Sequence, residues 1–199
     1  CTLSIHETGR YLFPGTGNVN ERGQGDGYGY SFNIPVDAFT EDDSFLEVYE
    51  QSLRKVAAFF KPDVIITQNG VDAHHYDPLT HLSTSIKVYK EIPKIAHKIA
   101  HQYCGGKWIA VGGGGYDIWR VVPRAWAHIW LEMTENDIGT GPIPSDWIKR
   151  WSNESPVTLS SMWEDPEGFY PPIPRKNEIT EKNKQVLEKA LYPIRHIKD

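Results

Sequence analysis

The chain has 199 residues, of which 39% are hydrophobic, and carries a formal net charge of -5. This size fits one domain with a tail, and the acidic balance argues against nucleic-acid binding, which requires a basic face. No apolar run is long enough to cross a bilayer, and no signal peptide is visible. Because the sequence holds two cysteines, Cys1 and Cys104, no disulfide framework is expected, and a reducing cytoplasm is the default location.

Short apolar or alternating runs predict the strands. These runs lie at residues 2–5, 31–36, 64–67 and 108–111. The β-branched run at 64–67 is typical of a parallel strand that is covered on both faces. Between residues 7 and 29, by contrast, frequent Gly, Asn and Asp residues predict a long loop, and such loops often serve a function.

Apolar residues at helical spacing predict the helices. They cover about 40–60, 83–103 and 118–133. Thr40 is a candidate N-cap for the first helix, while Pro93 and Pro123 are expected to split or kink the other two. Strands that alternate with helices in this way predict an α/β fold with a mostly parallel sheet.

The composition changes after Glu135, which predicts a main domain at 1–135 and a Pro- and Trp-rich extension at 136–199. Residues 136–178 are expected to be ordered but irregular. Thr180 is expected to cap a short terminal helix that ends near Leu191.

Two polar segments follow predicted strands, at 68–72 and 112–116. If the strands are parallel, Asp72 and Tyr116 leave the same edge of the sheet, where ligands bind in open α/β sheets. A carboxylate that holds a metal and a phenol that stabilises an oxyanion suit metal-assisted hydrolysis. An aspartate after a strand is more often a turn former or N-cap. A glycine run is more often a phosphate cradle, although this run lacks the lysine of a P-loop.

Five segments, in one order along the chain, resemble a known family. They are Ser4-Ile5-His6, Phe13-Pro14-Gly15-Thr16-Gly17, Gln68-Asn69-Gly70-Val71-Asp72, Asp77-Pro78-Leu79 and Gly112-Gly113-Gly114-Gly115-Tyr116. Together they resemble the C-terminal half of the zinc-dependent histone deacetylase family, in the arginase/deacetylase superfamily. The likeness covers about residues 1–133, and the tail from Gly139 is similar to the bacterial acetoin-utilisation branch. The resemblance implies an N-terminally truncated, three-layer α/β/α fold, with 1–135 as the C-terminal part of a catalytic domain.

The resemblance also implies roles for single residues. Asp72 would be one of three ligands to Zn²⁺, with Fe²⁺ as the alternative, and Tyr116 would be catalytic by holding the oxyanion. Phe13 and Leu79 would line the tunnel for the acyl-lysine stem, and Gly114 would lie close under the substrate.

Other positions resemble sites for a structural monovalent cation, with K⁺ as the candidate. They are Ser4 and the carbonyl of Ile5, with Tyr30 at a second such site. Asp77 is expected to brace the loop that carries Asp72. The Arg124-Ala125-Trp126 pattern is interpreted as helix packing.

The family also needs an Asp and a His from a D-x-H motif and a tandem His pair for proton transfer, and these lie upstream of the part that matches Cys1. His74-His75 follows Asp72 and is interpreted as a rim or surface pair. Tyr76 stands where many family members have glycine. Two more histidines, His97 and His101, are spaced i, i+4, and without an acidic third ligand nearby they are interpreted as solvated helix residues.

The implied function is metal-dependent hydrolysis of acetyl-lysine, with a metabolic enzyme such as acetyl-CoA synthetase as the acetylated protein substrate. This chain would be a fragment with part of the site, inactive alone. A non-catalytic fragment or weak acyl-lysine binder is one alternative. A deacetylase of acetylpolyamines or other small amides is another.

Overall fold

The computed structural model describes residues 1–168 and 170–198. Within these residues, helices follow strands in the order that the sequence pattern predicts. The elements are β1 (Thr2–Glu7), β2 (Ser31–Val36), α1 (Asp42–Phe60), β3 (Ile65–Asn69), α2 (Ile86–Cys104), β4 (Trp108–Gly112), α3 (Val122–Met133), α4 (Ser145–Trp151) and α5 (Lys176–Leu191). The described helices include none that is long and apolar enough to span a membrane.

All described strand pairs are parallel. β1 pairs with β2, with Thr2 opposite Ser31, and β3 pairs with β4, with Ile65 opposite Trp108. The predicted α/β class with parallel strands is therefore confirmed. Within the described part of the chain the strands form two separate two-stranded sheets.

The core lies between these strand pairs and the helices. α1 packs on α2 and α5, and α2 packs on α3. The largest apolar cluster combines side chains from several elements: Ile34, Val36, Val48, Val88 and Leu187. A smaller cluster lies beneath the loop after β3, and its buried members are Val71, Ile86, Tyr89, Val121 and Ala125. This second cluster supports the loop that carries Asp72.

One face of the β3–β4 pair is open. Ile65 is buried, whereas Ile66 on the opposite face is 63% exposed, Ile109 is 49% exposed and Val111 is 47% exposed. The prediction that the strand at residues 64–67 is covered on both faces is therefore wrong within the described part of the chain. The described helices and loops cover only the face that carries Ile65.

The predicted helix starts need correction. Glu41, not Thr40, is the N-cap of α1, because the Thr40 hydroxyl donates instead to the Asp37 carbonyl at 2.6 Å. Ser85 caps α2 by accepting from the Lys87 amide. Helix α5 begins at Lys176, four residues before the predicted cap Thr180.

Neither proline breaks its helix. α2 continues through Pro93 as one helix. α3 begins at Val122, so Pro123 lies in its first turn, where a missing amide proton removes no helical hydrogen bond. The predicted irregular segment also contains one short helix, α4.

Asn183 of α5 joins the extension to the main domain. Its Oδ1 accepts from the Asp37 amide at 2.8 Å, and its Nδ2 donates to the Thr40 and Ser44 hydroxyls at 2.8 and 2.9 Å. The side chain is completely buried. The domain boundary near residue 135 remains a prediction, but α5 packs against β2 and α1.

Replacing Asn183 by alanine should lower the free energy of unfolding by about 1–3 kcal/mol, because it leaves buried polar groups without partners. Urea unfolding measures this loss. Asn177→Ala is the matched control, since Asn177 is an exposed asparagine of the same helix, and its effect should stay within about 0.5 kcal/mol. Equal effects of the two changes would contradict the assigned role of Asn183.

Candidate functional site

The loops after β3 and β4 meet at one edge of their sheet. Asn69 lies opposite Gly112 at the ends of the two parallel strands. The Val71 amide donates to the Gly114 carbonyl at 2.7 Å. As predicted for parallel strands, the segments that hold Asp72 and Tyr116 therefore leave the same edge.

Close approach of the two loops explains the glycines. A Cβ at Gly113 would lie 2.6 Å from the backbone nitrogen of Gly70, and a Cβ at Gly114 would overlap the Asp72 carboxylate. Gly112 lies over the indole of Trp126, whose Nε1 donates to the Asn69 carbonyl at 3.0 Å. The run therefore provides room for the Asp72 loop.

A hydrogen bond to its carbonyl fixes the backbone of Asp72. Its carbonyl accepts a 2.5 Å hydrogen bond from the Thr80 hydroxyl. Burial, followed by the charge of Asp77, raises the pKa of the Asp72 carboxyl. The ionised form is therefore destabilised unless a cation lies close to it, which suits a metal ligand.

Asp77 connects the site loops. Its Oδ2 accepts from the Tyr116 amide and its Oδ1 from the Leu79 amide, both at 2.9 Å. Its own amide donates to the His74 carbonyl at 2.8 Å. Asp77 thus braces the loop of Asp72, as expected, and also brings Tyr116 and Leu79, each 52% exposed, to the same place.

Phe13 lies elsewhere. It is 93% exposed and lines a groove of about 740 Å³ between the β1–β2 pair and the glycine-rich loop, together with Ser4 and His6. Neither Asp72 nor Tyr116 lines that groove. The structure therefore brings together Asp72, Leu79, Gly114 and Tyr116, but not Phe13.

The candidate cation positions lie on the first strand pair. Ser4 is exposed, and Ile5 lies opposite Ile34 of β2. The Tyr30 carbonyl accepts from the Thr2 amide at 2.8 Å, and its ring packs against Phe59 at 5.7 Å between centroids. Their role in binding a cation stays a prediction.

Asp72 does not complete a metal site by itself. Among residues 1–168 and 170–198, no group of three or more His, Cys, Asp or Glu side chains could hold a metal ion. The Asp72 carboxylate is chemically suited to bind zinc, but the described residues do not supply enough further ligands to complete a zinc site.

The interpretation of His74 as a rim residue is wrong. His74 is completely buried, and its Nε2 bonds Asp165 Oδ2 at 2.9 Å. His75 is half-buried, with its ring 4.4 Å from that of Tyr170. Sequence reasoning missed Asp165 because it lies 91 residues from His74.

His97 also has an acidic neighbour that the sequence reasoning excluded. Its Nδ1 lies 2.7 Å from Glu132 Oε1, and its Nε2 lies 3.1 Å from the Nε2 of His101. Glu132 belongs to α3, which packs on α2, so helix packing brings the carboxylate there.

Gly113→Ala should lower the free energy of unfolding by about 1–3 kcal/mol, because its Cβ would meet backbone atoms that cannot rotate away. Urea unfolding of the full-length protein provides the measurement. Gly27→Ala is the control, since a Cβ there meets nothing within 4 Å. A neutral Gly113→Ala would contradict the close approach of the loops.

Comparisons with known proteins identify the family. The Histone deacetylase domain family matches residues 1–133. The acetoin utilization protein AcuC of Bacillus subtilis is 71% identical over 98% of this chain and 50% of its own length. AcuC of Staphylococcus aureus strain MRSA252 is 48% identical over 93% of this chain and 48% of its own. The chain thus spans about half the length of the curated relatives it matches.

Solved structures support the same relationship. A histone deacetylase homolog from Aquifex aeolicus superposes with a TM-score of 0.68 and 27% identity, over 92% of this chain and 50% of that one. The arginase/deacetylase-like fold and the match to a C-terminal half are thereby confirmed. The chain belongs to the histone deacetylase family, and within it is similar to the AcuC branch.

Proposed function

We propose that this chain forms part of the active site of a metal-dependent deacetylase, which in the full-length protein hydrolyses acetyl-lysine amides. One observation carries the proposal. Asp72 and Tyr116 lie on loops that leave the same sheet edge and are connected through Asp77. A deacetylase needs a metal ligand and an oxyanion donor next to each other, and these two side chains supply them.

Each site residue then has a defined task. Asp72 would hold Zn²⁺ or Fe²⁺, and when bound the cation would supply Lewis-acid polarisation of the acetyl carbonyl. Tyr116 donates its phenol proton in a hydrogen bond to the carbonyl oxygen as negative charge develops there. Leu79 lines the path of the lysine stem, and Gly114 leaves space beneath the substrate. Phe13 lines a separate groove, so we assign it no place on that path.

We infer that the remaining metal ligands and the proton-transferring His pair are supplied by residues corresponding to the half of the relatives that this chain does not cover. The open face of the β3–β4 pair supports this view, because Ile66, Ile109 and Val111 are unusually exposed for strand side chains. We therefore expect this chain alone to be inactive.

The AcuC relatives are named for acetoin utilisation, and a related deacetylase homolog is known in complex with SAHA. We extend the first relationship to an acetylated metabolic enzyme in the cytoplasm, such as acetyl-CoA synthetase, as the substrate. The acetylpolyamine alternative loses some of its basis, because His74 is buried and does not face a rim. Ser4, the Ile5 carbonyl and Tyr30 remain the candidates for K⁺ binding.

The deciding experiment compares the full-length protein with this chain alone on an acetyl-lysine peptide and on an acetylpolyamine, before and after chelation. We expect the full-length protein to favour the peptide and to regain activity when Zn²⁺ is restored. Chelator-resistant activity would contradict metal dependence. Absence of activity on both substrates would favour a non-catalytic acyl-lysine binder, which peptide titration then tests.

A further inference from the structure

Asp165 connects the C-terminal segment to the loop that carries Asp72. Its Oδ2 accepts from His74 Nε2 at 2.9 Å and from the Ile86 amide at 2.8 Å. Its Oδ1 accepts from the Arg124 guanidinium at 2.8 Å. His74, Ile86 and Arg124 are all at most 3% exposed. One carboxylate therefore joins the loop after β3, the first turn of α2 and the helix α3.

The ion pair inside this cluster is well satisfied. Arg124 also donates to the Arg120 carbonyl at 2.6 Å and to the Trp163 carbonyl at 3.1 Å. Burial alone would raise the pKa of Asp165, but the hydrogen bond from His74 and the charge of Arg124 hold it well below its usual range. Asp165 is therefore ionised and fixed from three sides, as a rigid anchor requires.

His74 transmits this anchor to the site. The Tyr76 amide donates to His74 Nδ1 at 3.1 Å, so Nε2 carries the proton and donates to Asp165. The His74 carbonyl accepts from the Asp77 amide at 2.8 Å. Asp72 lies two residues before His74, and Asp77 binds the Tyr116 amide.

We propose that Asp165 is a positioning residue for this site: acting through His74, it holds the turn at residues 71–77 so that Asp72 and Tyr116 keep their relative placement. This inference rests on the proposed function. Asp165 touches no reacting atom. The segment around residues 162–166, which lies beyond the matched family domain at 1–133, thereby has a role in supporting the site.

A purely architectural Asp165 would behave differently from a positioning residue. Its loss would lower the melting temperature, but below melting the affinity for Zn²⁺ and the value of kcat would stay unchanged. A positioning residue affects both in protein that is still folded. Residues that orient metal ligands typically change metal affinity or activity by about 10- to 100-fold when they are replaced.

The test uses Asp165→Asn and Asp165→Ala in the full-length protein, well below their melting temperatures. Asn at position 165 retains an acceptor for His74 and Ile86 but loses the charge facing Arg124. The Asn variant therefore still tests the proposal if the Ala variant does not fold. Asp146→Ala is the matched control, since Asp146 is an exposed carboxylate of α4 in the same segment. We expect the dissociation constant for Zn²⁺, measured by chelator competition, to rise about 10-fold or more in both Asp165 variants.

A double-mutant cycle tests the route through His74. In a His74→Ala background, Asp165→Ala should add little to the change in Zn²⁺ affinity, because contacting residues are coupled. His74→Gln, which keeps a donor toward Asp165, should restore part of the affinity. Additive effects would contradict action through His74.

Hydrogen exchange separates this inference from the proposed function. Amides at residues 71–80 should exchange about tenfold faster in Asp165→Ala than in Asp146→Ala, whether or not the protein binds metal. If the wild type neither binds Zn²⁺ nor deacetylates, the proposed function fails. The exchange rates at residues 71–80 would still show whether Asp165 holds the loop in place. Equal exchange in the two variants overturns the assignment of Asp165.

Discussion

Tyr116→Phe in the full-length protein is expected to lower kcat on an acetyl-lysine peptide by about 10²- to 10³-fold. Asp77 holds the Tyr116 amide at 2.9 Å, so the change removes a donor without altering the backbone anchor. A donor that acts on developing charge stabilises the transition state more than the ground state, so kcat should fall while KM changes little.

Tyr192→Phe is the control for this change. Tyr192 is 59% exposed, close to the 52% of Tyr116, but lies in the C-terminal segment. Zn²⁺ content should equal that of the wild type in both variants. Wild-type kcat in Tyr116→Phe would remove the phenol from the mechanism.

Asp72→Ala should abolish Zn²⁺ retention and lower activity by at least about 10³-fold, because several kcal/mol of charge stabilisation are lost with the metal. The physical reason lies in the environment of the carboxylate. Burial and Asp77 together destabilise the charge of Asp72, and a bound cation reverses this effect.

Asp63→Ala is the matched control for Asp72. Asp63 is an exposed aspartate just before β3, so it lies at the opposite end of the strand from Asp72. Metal analysis after gel filtration should find Zn²⁺ in this variant at the wild-type level. Full occupancy in Asp72→Ala would show that another group binds the metal.

The main part of the fold was predictable because its signals are local. Alternating apolar runs and helical periodicity placed the strands and helices, and parallel pairing then required the loops of Asp72 and Tyr116 to leave the same edge. The predicted helix starts were less accurate, because side chains such as Thr40 form hydrogen bonds outside the helix instead of capping it.

Contacts across long separations could not be predicted in this way. From its position after Asp72, His74 is interpreted as a rim residue, whereas its burial depends on Asp165, which comes from the C-terminal segment. Glu132 reaches His97 because α3 packs on α2. Likewise, the apolar run at 64–67 cannot show which of its faces the chain itself covers.

Residue chemistry and order along the chain were sufficient to predict the family, the candidate metal ligand and the candidate oxyanion donor. The pattern that predicts them is local: a strand, the few residues that follow it and a glycine run. The support around them depended on folding. Asp77 and Asp165 act through hydrogen bonds to residues 39 and 91 positions away. Such contacts form where packed elements converge, and local sequence patterns contain no information about that convergence.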